Sequence, residues 1–336
     1  MSGRRRGQWV RACGTAEWFA HLLLGDCFAL QGALLLAREH FEQAWQYYEE
    51  VSKKQPADTD IYAAYAAVTS RALLAPVLFM LGYPERARRT NHAALTLAEQ
   101  HPHPYGTATV WYFTAALHLS RQEWRQASEW AHRVIALATD YGFPQWIASG
   151  LIAAGGAQVE LENVQNGIAQ IRKGLALHEA TGAQTLRPSA MGHLARAYAK
   201  LGRVEEGIAL LAEASEIARR QNRVLLEAGL QLLKSRILLH SNGVTAHPQR
   251  RAPQRFRAQE WEDDVEAGLH SILTVARHHE AKMLELQATV TLCRLWGYQD
   301  KKTAARKLLA NITGWFTEGF DTHALQEANA LLREFL

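Results

Sequence analysis

The amino-acid sequence predicts an all-α protein, an α-α superhelix of about seven antiparallel helix pairs closed by one further helix at the C-terminus. Three observations carry that expectation. Small residues flanked by apolar ones recur at Gly25, Ala75, Ala115, Gly155, Ala195, Ser235 and Cys293, at intervals of 50, 40, 40, 40, 40 and 58 residues, and a fixed period of this length marks a repeat architecture. A second small residue follows twelve positions later at Ala37, Ala87, Ala127, Gly167, Gly207 and Ala305. Around both sets apolar residues fall three and four apart, and no alternating run bounded by turn residues predicts a strand.

Each unit reads as two helices joined by a tight turn. Unit one spans roughly Thr15 to Lys54, two Asp58 to Gln100, three Pro104 to Tyr141, four Pro144 to Thr181, five Leu186 to Gln221, six Asn222 to His279 and seven Ala281 to Gly319. Unit five shows the pattern plainly, with Leu194, Ala195, Tyr198 and Leu201 before Gly202, and Gly207, Leu211 and Ala214 after it. Short side chains let two helices approach closely, and each pair must bury its apolar stripe against the next. Pro104, Pro144 and Pro188 fall in the first turn of a first helix, where a missing N–H costs nothing. Pro76 falls inside one, where a kink is expected. The last helix should run from about Thr322 to Phe335, capped by Asp321 or Thr322, with Leu325, Ala328, Leu332 and Phe335 covering the end of unit seven.

Two segments break the period. Val51 to Asp60 carries Lys53, Lys54 and Pro56 and reads as a loop. In unit six the partner position is Val265, 30 residues after Ser235, which implies an insertion at 241–258. That insertion holds Arg250, Arg251, Arg255 and Arg257 without an acidic residue, and its composition predicts a mobile basic loop. The expected organisation is a disordered N-terminus over residues 1–14 and a single solenoid over 15–336.

Composition agrees with a soluble protein. Of 336 residues 48% are hydrophobic and 21% charged, and 37 Lys+Arg against 33 Asp+Glu give a formal charge of +4, values that exclude a disordered or collagen-like chain. No stretch offers 18 uncharged apolar residues, and Arg4 to Arg6 precede no uninterrupted apolar region with a cleavage site, so a cytoplasmic location is expected. Cys13, Cys27 and Cys293 are odd in number and far apart, and read as small buried residues of a reducing compartment.

Leu24-Gly25, Phe28, Gly32, Ala37, Phe41 and Ala44 in unit one resemble the tetratricopeptide pattern residue for residue, as do the unit-five positions above. The usual period of such repeats is 34 residues. The longer period here is similar to the sensor region of the bacterial maltose-regulon activator and its relatives. Gly314-Trp-Phe-Thr-Glu-Gly-Phe-Asp-Thr322, with Glu179-Ala-Thr-Gly182, Ala281-Lys-Met-Leu-Glu-Leu286 and Leu81-Gly-Tyr-Pro84, resembles the C-terminal repeat region of large bacterial signalling ATPases. Those proteins join a class III nucleotide cyclase or kinase module to a nucleotide-binding domain and then to repeats. The resemblance covers about Thr15 to Leu336 and implies a detached repeat module or the tail of a split gene. The family's chemistry lies in modules in front of the repeats, and this sequence holds no Gly-x-x-x-x-Gly-Lys-Ser/Thr loop to which it could be carried over.

The remaining chemistry is sparse. His278 and His279 are adjacent and His101 and His103 flank a proline, so the histidines offer no pair of ligands on one helix face and no metal is expected. No Gly-x-Ser-x-Gly elbow exists, and neither a catalytic residue nor a cofactor is expected. Trp111, Trp124, Trp130 and Trp146 recur at helix-packing spacing and read mainly as core, with Tyr112 as the best candidate for an aromatic floor beneath a ligand. The position after the small residue holds Arg196, Arg236 and Arg294 in units five, six and seven. In tetratricopeptide arrays that position usually lines the concave groove, so the resemblance implies a ladder of guanidinium groups suited to carboxylate or phosphate, extended by Lys200 and Arg187. The alternative is that these cations pair with neighbouring Glu or Asp and stay solvated, as most surface charges do.

Together these features predict a non-catalytic scaffold or regulatory sensor with a protein partner, either an acidic segment or a separate ATPase or cyclase chain. A nucleic-acid-associated module using the basic insertion and a small-molecule sensor are the alternatives. Nucleic acid is disfavoured because the charge is dilute and the inserted arginines lack interleaved aromatics except Phe256.

Overall fold

In the computed structural model the backbone is described for residues 3–54, 61–244 and 260–335, and the side chains for residues 17–50, 64–244 and 261–335. Every regular element among these residues is a helix. The pairs follow one another as α1 (Gly3–Gln31) with α2 (Leu34–Lys54), α3 (Ile61–Met80) with α4 (Pro84–Gln100), α5 (Pro104–Arg121) with α6 (Trp124–Tyr141), and α7 (Pro144–Glu160) with α8 (Val164–Ala180). They continue as α9 (Arg187–Lys200) with α10 (Val204–Arg220), α11 (Val224–Ser241) with α12 (Glu260–His278), and α13 (Lys282–Tyr298) with α14 (Lys302–Thr313), and α15 (His323–Glu334) closes the array. No helix among the described residues is long and apolar enough to cross a membrane.

The small residues set how closely each pair packs. All seven first-helix positions from Gly25 to Cys293 are buried, as are the six partners twelve residues on and Val265 in unit six. A Cβ added to Gly155 would lie 2.7 Å from the Gly167 carbonyl oxygen, one added to Gly207 would lie 2.8 Å from that of Ala195, and the Cys293 thiol donates to the Ala305 carbonyl at 3.2 Å. The two small positions of a unit therefore face each other across the hairpin, backbone against side chain.

Each first helix ends in the same turn. A residue with positive φ sits at Gly32, Gly82, Gln122, Glu162, Gly202, Gly243 and Asp300, and the next N–H reaches back five residues, as Arg203 to Tyr198 at 2.9 Å, Glu123 to His118 at 2.9 Å and Asn163 to Gln158 at 3.0 Å. This satisfies carbonyls that the helix end would otherwise leave unpaired. Pro104, Pro144 and Pro188 occupy first turns, and Pro76 lies within α3.

The ends of the array meet. The turn of unit one packs on unit six, where a Cβ on Gly32 would lie 2.9 Å from Leu225 Cγ and the Gly32 carbonyl pairs with His279 Nδ1 at 3.0 Å. The turn of unit two packs on unit seven and on the segment between α14 and α15, with Gly82 against Lys282 and Trp315 and the Tyr83 and Trp315 ring centres 5.7 Å apart. Glu318 Oε1 accepts from the Glu85 and Arg86 N–H groups at 3.0 Å each, capping α4 from across the gap. Unit three meets the segment that takes the place of an eighth unit, where Arg121 Nη2 donates to Asp321 Oδ2 at 3.0 Å. Contacts thus join units one and two to the fifth unit after each, and one core cluster takes residues from units one, two and three together with units six and seven and α15, bridging both ends.

Several expectations need correction. Helix α1 begins at Gly3, ahead of the Thr15 start and through the segment expected to be disordered, because no proline interrupts residues 3–14. Helix α2 runs to Lys54, into the segment read as a loop. Most of the basic insertion, 245–258, lies outside the described residues, while Val244 just before it is buried at 6% exposure. Cys27 is exposed rather than buried. In α15 Thr322 holds the N-cap position without a side-chain cap bond, its hydroxyl donating instead to the Gly319 carbonyl at 2.7 Å. Ala324, Leu325, Ala328 and Leu331 are its buried residues, with Leu332 and Phe335 packed at the core margin.

Candidate functional site

The first helices of units three to seven line the inner face of the superhelix. On α9, α11 and α13 the position after the small residue is Arg196, Arg236 and Arg294, and four residues further come Lys200, His240 and Tyr298, one helical turn along the same face. A cavity of about 950 Å³ is bounded by Arg196, Lys200, Arg236 and His240, by Gln122 and Trp124 of the third unit, and by the apolar side chains of Leu119, Val204, Leu233 and Ile237. A second, of about 390 Å³, is bounded by Arg236 and Arg294 with Thr291, His323 and Glu327. The two share Gln122, Arg236 and His240, so Arg236 stands at their junction.

The cations differ in their partners. Glu160, at the end of α7, accepts Arg196 Nη1 at 2.8 Å and Lys200 Nζ at 2.9 Å. Burial alone would raise the Glu160 carboxyl, but the two cations outweigh it and hold it below the ordinary glutamate value. Glu327 of α15 accepts Arg294 Nη2 at 2.6 Å, and Arg294 Nε is buried without a hydrogen-bond partner. Arg236 has no carboxylate partner among the described residues. Its Nε donates to Thr291 Oγ1 at 3.2 Å and its Nη2 to the Gln287 carbonyl at 3.5 Å. Burial, with Arg196 and Arg294 on either side, pushes its guanidinium down to about 10, partly opposed by Glu327. At neutral pH it remains a cation, held at a cost that a bound carboxylate would offset.

The inner face therefore brings together Arg196, Lys200, Arg236 and Arg294. Arg187 bounds neither cavity and pairs instead with Glu213 at 3.0 Å and Glu179 at 3.9 Å. Tyr112 bounds neither cavity. Its ring packs on Trp146 at 5.5 Å and Phe113 at 5.2 Å, and burial pushes its phenol up, partly opposed by Arg223. Trp111 and Trp130 pack on each other at 6.2 Å and Trp146 is 7% exposed, as core aromatics are, whereas Trp124 bounds the larger cavity. No group of three or more metal-ligating side chains occurs among the described residues.

Sequence reasoning missed Glu160, Glu327, His240 and Gln122. A signal for two of them was present. Glu160 stands five positions after Gly155, as Lys200 does after Ala195 and His240 after Ser235, so a second inner row runs one turn beyond the arginine row. Glu327 comes from α15, which lies outside the repeat register and gave no such signal.

No protein-family model matches the chain, and no curated protein matches it. Solved structures do. A Rap protein complexed with Competence and Sporulation Factor superposes with a TM-score of 0.62 at 11% identity, over 96% of this chain and 79% of that one. NprR in complex with its cognate peptide NprX gives 0.60 at 11% identity over 100% and 83%, and the apo form of RapI gives 0.55 at 11% over 95% and 99%. The fold is thus a tetratricopeptide-like solenoid.

Proposed function

We propose that this chain is a non-catalytic regulatory binding module that takes an acidic protein or peptide segment on the inner face of its superhelix, through Arg196, Arg236 and Arg294 with Lys200 beside them. One observation carries the reading: three arginines from successive units converge on one connected space, and the middle one has no carboxylate among the described residues. Apolar walls from Leu119, Leu233 and Ile237 give such a segment surface to bury between its charges. A structure of the same fold, NprR, was solved with its cognate peptide NprX bound, and a Rap protein with Competence and Sporulation Factor, which supports a peptide-sized ligand here. A role beside a signalling ATPase or cyclase chain rests on the sequence resemblance around Gly314 to Thr322.

The test is a pull-down from cell extract with the parent chain and with a variant in which all three arginines become Ala, set beside binding to random duplex DNA. Loss of a protein partner in the variant, with parent binding that weakens as salt rises, supports the reading. Unchanged partners together with salt-sensitive DNA binding would overturn it in favour of a nucleic-acid role. The ion pairs to Glu160 and Glu327 mean that this variant also loses some stability, so folding is checked by circular dichroism before binding is compared.

A further inference from the structure

Two guanidinium groups face the smaller cavity, and one carboxylate serves them. Glu327 holds Arg294 at 2.6 Å, with His323 Nδ1 3.8 Å away, and its side chain is 18% exposed. Arg236 makes only neutral hydrogen bonds, to Thr291 and Gln287, and Arg294 Nε has no partner. The site therefore offers donors for one more carboxylate than it contains. The carboxylate already present comes from α15, the helix that closes the array.

We propose that the cleft between Arg236 and Arg294 is the subsite for a single carboxylate group of the bound segment, and that Glu327 is the internal carboxylate with which it competes. The inference rests on the reading of the inner face given above. A carboxylate bridging the two guanidiniums would be held by planar forks matched to its own geometry, but it would arrive beside a negative charge already seated there. Glu327 thus balances the charge of Arg294 while the site is empty and weakens binding when it fills. Its charge sets the affinity, and removing that charge while keeping the shape tightens binding by roughly tenfold, the scale on which one like charge within several ångströms acts.

The experiment titrates the full chain into a fluorescein-labelled hexaglutamate peptide and reads anisotropy for the parent, Glu327→Gln, Glu327→Asp and Arg236→Gln. Glu327→Gln is expected to bind roughly tenfold more tightly than the parent, Glu327→Asp within about twofold of it, and Arg236→Gln roughly tenfold more weakly. Glu327→Gln binding no more tightly than the parent, including the case in which neither binds, overturns the inference. Equal tightening by Gln and Asp also overturns it, because that outcome reports a loosened α15 rather than a competing charge. Loss of binding in Arg236→Gln without a gain in Glu327→Gln sinks the inference alone, whereas parent-like binding by Arg236→Gln sinks the reading of the inner face with it.

Discussion

Replacing one glycine by alanine in two different helices should move stability in opposite directions. In the interior of α11 a Cβ on Gly229 would meet nothing within 4 Å, so Gly229→Ala gains what alanine gains over glycine in a helix, about 1 kcal/mol. At Gly155 the same methyl group would lie 2.7 Å from the Gly167 carbonyl oxygen, 2.7 Å from Ile171 Cγ1 and 2.9 Å from the Ile171 nitrogen. Two of these atoms belong to the backbone of α8 and cannot rotate aside, so the helices must separate by several tenths of an ångström. Overpacking of this kind costs roughly 1 to 3 kcal/mol, which cancels or exceeds the helix-propensity gain of about 1 kcal/mol. Gly155→Leu adds three more carbons to the same gap and should lose roughly 3 kcal/mol or more. Thermal unfolding followed by circular dichroism should show Gly229→Ala melting above the parent, Gly155→Ala at or below it and Gly155→Leu well below. Stabilisation of Gly155→Ala equal to that of Gly229→Ala would refute the argument that the small residues exist for close helix contact.

Three further expectations rest on local geometry. Glu162 is exposed and takes φ 66° at a turn where other units place glycine, so Glu162→Gly should stabilise the chain by up to about 1 kcal/mol, measured by urea titration. Glu318 caps two N–H groups of α4 from the far end of the array; Glu318→Ala should cost roughly 0.5 to 2 kcal/mol and alter the emission of Trp315, which packs on Tyr83 at the same seam. The Glu160 carboxyl is held below its unfolded value by Arg196 and Lys200 despite its burial, so its contribution is present above the ordinary glutamate pKa and lost as pH falls through the lower folded value. Stability of the parent should therefore drop more steeply below about pH 4.5 than that of Glu160→Gln, in urea titrations repeated across that range.

The sequence was most informative where one interaction repeats. Small residues such as Gly155 and Gly167 must recur because every hairpin needs the same close approach, and that recurrence reveals the units, their register and the row of arginines. Closure of the superhelix left no such trace. It depends on single contacts between distant turns, Gly32 against Leu225, Glu318 on the start of α4 and Arg121 on Asp321, and each joins residues whose only shared property is lying one superhelical turn apart. The same holds for the site. The register placed Arg196, Arg236 and Arg294 on one face, but which of them is neutralised depends on Glu160 from the preceding unit and on Glu327 from a helix outside the repeat. Arg187 and Tyr112 were singled out by residue type rather than by register, and neither bounds the two cavities.

The central claim is that acidic ligands bind on the inner face at Arg236, and hydrogen–deuterium exchange of the full chain with and without saturating hexaglutamate tests it most directly. Added protection should concentrate at the inner ends of α9, α11 and α13 and in the turn at Gln122, and should disappear in Arg236→Gln. Protection confined to the outer helices α10, α12 and α14, or protection that persists in Arg236→Gln, would contradict the account.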